Sequence, residues 1–221
     1  DMHRNAGVVR RINRRQCGAV VHCGQPAGVA MGHDIEDLIV GDDHANSLLF
    51  THAFHLIGSH GPTYFKRYPE EFRHFMPDCP RSDIENCTDQ ELENTYDNTI
   101  RYTDHVIAQL IERLKQYESS YNTALIYLSD HGESLGAMGL YLHGTPYKFA
   151  PDDQTRVPMQ VWMSPGFIQE KGMDIDCLRA NAKDKRYSHD NLFSSVLGLW
   201  GVNSHVYNSQ LDMFLPCRAT Q

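Results

Sequence analysis

The stretch ALIYLSDHGESLG, residues 124–136, decides how the chain is read. Residues 124–129 are a short, mostly apolar run containing the β-favouring Ile126 and Tyr127, and a run of that length bounded by a polar, glycine-bearing segment reads as a strand. Its tip delivers Asp130, His131 and Glu133 around Gly132. Ligands of open sheets bind beyond the carboxyl ends of the strands, which makes this tip the first candidate site. Taken alone, an Asp-His pair fits a polar turn equally well.

Upstream the hydrophobic period changes. Thr88 and Glu91 have capping-box spacing, and Leu92, Tyr96, Thr99, Thr103, Val106, Leu110 and Leu114 recur at three or four residues through Tyr117. The spacing predicts a long amphipathic helix whose stripe faces the core. Before it, SLLFTHAFHLIG (residues 47–58) reads as a buried strand ending at a glycine. Strand, long helix and strand make a βαβ unit, so the expected class is α/β with a parallel sheet and helices on its faces. Downstream, RVPMQVWM (156–163) predicts a strand with Pro158 near its start, and DNLFSSVLGLW (190–200) a helix capped by Ser188. Residues 32–40 read as a short helix, and the first thirty residues as loop.

Composition excludes some functions. A formal charge of −8 argues against a nucleic-acid partner, because phosphate affinity comes from clustered Lys and Arg. No stretch reaches the roughly 18 to 20 apolar residues that span a bilayer. The six cysteines, Cys17, Cys23, Cys79, Cys87, Cys177 and Cys217, lack zinc-knuckle spacing. Loop-closing disulfides in an oxidising compartment are the better reading, with six reduced thiols as the alternative.

The chemistry gathers in three loops. The segment after the first expected strand carries His60 in GSHGP, the second strand carries Asp130, His131 and Glu133, and GLYLHGTPY carries His143. Each histidine alone is more often structural, but strands that are neighbours would bring these loops together. Carboxylate oxygen plus imidazole nitrogen suits Zn²⁺ or Mn²⁺. Such an ion polarises a phosphoryl or sulfuryl oxygen. His60 and His143, where not ligands, can hydrogen-bond the transferring group or protonate a leaving oxygen.

Together, GSHGPTYFKRYP, NTYDNT, YLSDHGESLG, GLYLHGTPYKFAPDDQ, VPMQVWMS and SHDNLFSSVLGL resemble, in order and spacing, the periplasmic domain of the phosphoethanolamine transferases. These enzymes modify lipid A or lipopolysaccharide core sugars, include the mobile colistin-resistance enzymes, and belong to the alkaline phosphatase and sulfatase superfamily. The resemblance implies a parallel-sheet sandwich of that type, truncated at its amino-terminal side. Residues 1–221 would be the carboxy-terminal portion of one catalytic domain, with 1–46 loop-rich and divergent and 47–218 the family-like core.

The resemblance also implies roles. Asp130 and His131 match ligands of a catalytic zinc; His60 and His143 match histidines around the phosphoryl group that can hold a second zinc; Glu133 matches a site glutamate; Cys79 and Cys87 match a disulfide pair. It implies phosphatidylethanolamine as donor, lipid A or lipopolysaccharide core as acceptor, a membrane-embedded amino-terminal domain, and the periplasmic face of the bacterial inner membrane as location. The family's threonine nucleophile and a further glutamate ligand have no counterpart here, and Ala6 stands at the position of a family lysine. A sulfatase-like or phosphatase-like hydrolase, or a truncated metal-binding homologue without activity, are the rival expectations.

Overall fold

The structure is a computed structural model; it describes residues 51–219 and the backbone of residues 9–13. Residues 9–13 and 55–219 belong to one unit, residues 51–54 to another. The expected helix at 32–40, Cys17, Cys23 and Ala6 lie outside the described residues.

Strand β1 is Val9–Asn13, β2 Ala124–Leu128, β3 Ser134–Leu135, β4 Tyr141–Leu142 and β5 Arg156–Met163. The main sheet has the order β1-β5-β2. Both pairings are antiparallel, with β2 in the register Ala124↔Met163 to Leu128↔Met159. Strands β2 and β5 therefore fall where the sequence places them. The pairing differs from the parallel expectation, because residues 51–58 form no strand and Ile57 is 61% exposed. An apolar run carries no information about its hydrogen-bond partner, so a buried strand and an exposed loop read alike there. Conversely β1 forms where a loop was expected.

Helix α1, Asp89–Lys115, has the predicted capping box: the Glu91 N–H donates to Thr88 Oγ1 and the Thr88 N–H to Glu91 Oε2. Its buried face is only partly the apolar stripe. Leu92, Val106 and Ile107 are buried, but so are Asn94, Thr95, Asn98 and Thr99. These polar groups hold the preceding loop. Asn98 Oδ1 accepts from the N–H groups of His74 and Phe75, while Asn94 Nδ2 donates to Pro77 O. Thr95 Oγ1 accepts from Cys79 N–H at 2.6 Å. The motif NTYDNT is thus a clamp, and the Cys79–Cys87 disulfide closes the loop it grips.

Two apolar clusters result. Behind the main sheet, Val157, Met159 and Met163 pack with Met173, Leu199, Met213 and Phe214. Helices α3 (Pro165–Lys171), α4 (Ile175–Asp184) and α5 (Asp190–Trp200) supply the covering residues Phe167, Ile168, Ile175, Leu178 and Trp200. A second disulfide, Cys177–Cys217, ties α4 to the turn Leu215–Cys217. The smaller cluster, Tyr64, Cys79, Ile84 and Leu92, packs with Tyr96, Leu135 and Leu142. One short helix, α2 (Asp152–Thr155), leads directly into β5.

Helix α5 spans the predicted residues with a different cap. His189 occupies the capping position, and the Ser188 hydroxyl instead donates to the Asp190 carboxylate at 3.2 Å. Ser188 N–H donates to Asn191 Oδ1. The His189 side chain itself reaches the tip of β2.

Candidate metal centre

The β2 tip is held from both sides. From α5, His189 Nε2 donates to Ser129 O at 2.9 Å. From α2, Gln154 O accepts from Gly132 N–H at 3.1 Å. A side chain at Gly132 would collide with the Asp153 carbonyl, so this close approach requires glycine. Within the turn, the Ser129 hydroxyl donates to His131 O. The outcome is a fixed pair: His131, with only 12% of its side chain exposed, and Asp130, with 68% exposed and its Oδ2 3.7 Å from His131 Nε2.

Two further loops close on this tip. The Gly61 N–H donates to Glu133 Oε1 at 3.1 Å, and His143 Nδ1 donates to the same oxygen at 3.2 Å. Buried Glu133 thereby joins the His60 loop to the His143 loop. A Cβ on Gly61 would meet Tyr64 and Leu142, so this residue too must be glycine for the loops to touch. Leu142, immediately before His143, has φ +62°, a conformation costly for a residue with a side chain and one that collects at functional sites.

The three imidazoles meet. His131 and His143 stack with ring centroids 4.0 Å apart, and His60 stands edge-on to both at 5.8 and 4.8 Å. One ring nitrogen from each lies within 4.8 Å of the others, the group of metal-binding side chains that stands out among the described residues. Every Nδ1 has an acceptor: Gly61 O for His60 at 2.7 Å, Gly132 O for His131 at 3.0 Å, and the Glu133 carboxylate for His143. With Nδ1 committed to an acceptor on each ring, Nε2 is the atom left to offer a lone pair to a metal. Three imidazoles, each oriented by a partner on Nδ1, with a carboxylate beside one of them, form a donor set that fits zinc.

Charge and burial shape the surroundings. Tyr64 is buried beneath the site, and burial first, then the Glu133 charge, pushes its phenol pKa up. Tyr96 is pushed to about 12 by the same two causes in the same order. Tyr127 is raised by burial and then by Asp130. Glu133 Oε2 and the Tyr64 hydroxyl are both buried and make no well-aligned hydrogen bond, yet the two groups lie close enough for the carboxylate to act on the phenol.

All five site residues read from the sequence therefore lie in one place: His60, His131 and His143 form the cluster, Asp130 borders it, and Glu133 lies beneath, aimed at His143. The resemblance separates an Asp130–His131 pair from a His60–His143 pair, whereas the rings form one group. His189, Tyr64 and Gln154 were not singled out. The motifs SHDN, GPTYF and FAPDDQ contain them, but a buried hydrogen bond to a distant backbone leaves no spacing signature.

Residues 30–202 match the Sulfatase family model. Phosphoethanolamine transferase EptA of Salmonella typhimurium is 49% identical over 166 residues, which cover 75% of this chain and 30% of the relative. The integral membrane protein lipooligosaccharide phosphoethanolamine transferase A (EptA) of Neisseria meningitidis superposes with a TM-score of 0.72 at 46% identity, over 74% of this chain and 31% of that one. A zinc complex of the C-terminal periplasmic domain of EcEptC from Escherichia coli superposes with a TM-score of 0.57 at 26% identity, over 71% and 43%. The chain thus spans about a third of the length of the curated relatives it matches. Among the described residues no helix is long and apolar enough to cross a membrane. With a family match over most of its length, the chain belongs to the sulfatase family.

Proposed function

We propose that this chain supplies the zinc-binding and phosphoryl-handling end of a phosphoethanolamine transferase. It would act at the periplasmic face of the bacterial inner membrane, moving phosphoethanolamine from phosphatidylethanolamine to lipid A or lipopolysaccharide core. The observation that carries the reading is the set of three imidazoles, each with Nδ1 taken by an acceptor and Nε2 left to act. Asp130 and His131 would hold the catalytic ion, while His60 and His143 face the transferring group and can take a second ion, so that all three rings bear on metal affinity.

Zinc, when bound, supplies electrostatic stabilisation for negative charge on a phosphoryl oxygen. The chain's own residues do the rest. His143 Nε2 accepts a proton from an attacking hydroxyl or, once protonated, donates it to a leaving oxygen. The Glu133 carboxylate on Nδ1 stabilises the imidazolium that forms and keeps the ring in place. His60, held by Gly61 O, hydrogen-bonds the phosphoryl group from the other side. The nucleophile is not assigned among these 221 residues; His60 and His143 are given orientation and the proton, not the covalent bond.

The test is transfer in cells carrying the intact gene, with lipopolysaccharide analysed by mass spectrometry. Phosphoethanolamine added by the parent and not by Asp130→Ala is the expected result. Modification retained by Asp130→Ala would sink the assignment. Phosphoethanolamine released into solution with none on lipopolysaccharide would make the protein a hydrolase.

A further inference from the structure

Gln154 is 4% exposed, and three of its groups are spent on the site loops. Its backbone O accepts from Gly132 N–H at 3.1 Å. Its side-chain Nε2 donates to the buried Ser134 hydroxyl at 2.9 Å, and Oε1 accepts from Thr145 N–H at 3.2 Å. Gly132 follows His131 and Thr145 lies two residues beyond His143, so one residue grips both histidine-bearing turns. It does so from α2, at the base of the central strand, and Gly132 has no room for a side chain because the same backbone lies against it.

We infer that Gln154 is a positioning residue that sets the separation of His143 from His131 and thereby the metal affinity of the cluster. The inference rests on the zinc reading above and adds a residue to it. Glu133, two residues beyond His131, bonds His143 and Gly61, and the β3–β4 pair joins the same two segments through Ser134↔Leu142; Gln154 braces that hairpin from outside, with one bond to the His131 turn, one to Ser134 and one to the His143 turn. A carboxamide is suited to this task because it donates on one side and accepts on the other. An apolar side chain of the same length would leave the Ser134 hydroxyl and the Thr145 N–H without partners.

The experiment compares the parent chain with Gln154→Met, Gln154→Glu, Ser134→Ala and Leu199→Ala by hydrogen exchange without metal and by cobalt(II) titration followed by absorbance. In Gln154→Met, exchange of the Thr145 amide should rise roughly tenfold, the factor one modest hydrogen bond supplies. Gly132, bonded to the backbone, should stay protected. Cobalt affinity should fall about 10- to 100-fold, as for other outer partners of metal ligands. Gln154→Glu, whose carboxylate can accept from both Thr145 N–H and the Ser134 hydroxyl, should restore Thr145 protection. Leu199→Ala lies in the other core and should lower the melting temperature with cobalt affinity unchanged.

Thr145 exchange unchanged in Gln154→Met overturns the inference, as does an equal loss of affinity in Leu199→Ala. Where Gln154→Met does not fold, Ser134→Ala carries the test, since it deletes one bond and keeps the rest of the frame; unchanged cobalt affinity and exchange in that variant overturn the inference too. A folded parent that takes no cobalt contradicts the zinc reading instead, and the exchange comparison alone then decides for or against Gln154.

Discussion

The two cores of this chain are built from different materials. Behind the main sheet, Val157, Met159, Met163, Leu199, Met213 and Phe214 exclude water with hydrocarbon, and the buried polar groups beside them, Ser195 and Asp212, accept from the Met213 and Phe214 N–H groups rather than from the site loops. Around the site, the apolar cluster is smaller, and the buried groups beside it are Asp78, Asn94, Thr95, Asn98, Glu133, Ser134 and Gln154. Hydrocarbon contact is non-directional and scales with area, so the first core supplies stability with little demand on angle. Buried hydrogen bonds add little net free energy when made and cost much when broken, so the second fixes geometry. The difference teaches that the loops carrying His60, His131 and His143 are placed by partners rather than by bulk.

Substitutions that separate the two materials test this. Leu199→Ala should have the largest effect on stability, about 2–5 kcal/mol as for buried leucines elsewhere, read by urea unfolding. It should leave the site loops as well protected from hydrogen exchange as in the parent; loosening of those loops would break the distinction. Asn98→Ala should cost less, about 1–3 kcal/mol, because it orphans the His74 and Phe75 amides. Its exchange changes should be confined to residues 74–79 and the first turns of α1. A uniform loss across both cores would show them to be one cooperative unit.

The smallest effect expected is that of Asp78→Asn, and it has a pH signature. Arg73 bonds first, and then the Tyr68 hydroxyl, hold the Asp78 carboxyl below the usual carboxylate range. A carboxyl whose pKa is lowered by folding contributes stability that is present above its unfolded pKa and lost as pH falls through the folded one. The melting temperatures of parent and Asp78→Asn should therefore differ at neutral pH and converge on acidification. Arg73 is nearly one-third exposed, which screens the pair and keeps the gap small. A gap that widens in acid would contradict the assignment.

The same contrast explains what was legible in the sequence. Strand β5, helix α5 and the capped start of α1 follow from periodicity, since each buries an apolar face in the ordinary way. The pairing direction of the sheet did not follow, because it depends on which strands meet rather than on what each contains. The site residues were legible as chemistry at strand and loop ends that neighbouring strands would bring together, and the resemblance supplied their roles and the Cys79–Cys87 bridge. Cys177 and Cys217 lie 40 residues apart, and no local pattern joins them. His189, Tyr64 and Gln154 escaped because their partners are backbone or buried groups far along the chain. Asn98 escaped for a related reason: on a helix face expected to be apolar, a buried amide is visible only through the loop it holds.

The most direct test of the account is calorimetric zinc titration of the folded 221-residue chain, with His131→Ala and Glu133→Gln beside it. The parent should bind zinc, His131→Ala should lose that binding, and Glu133→Gln should weaken it about 10- to 100-fold through the orientation of His143. Failure of the folded parent to bind zinc, or binding indifferent to both substitutions, would contradict the claim that buried partners assemble these three histidines into a metal site.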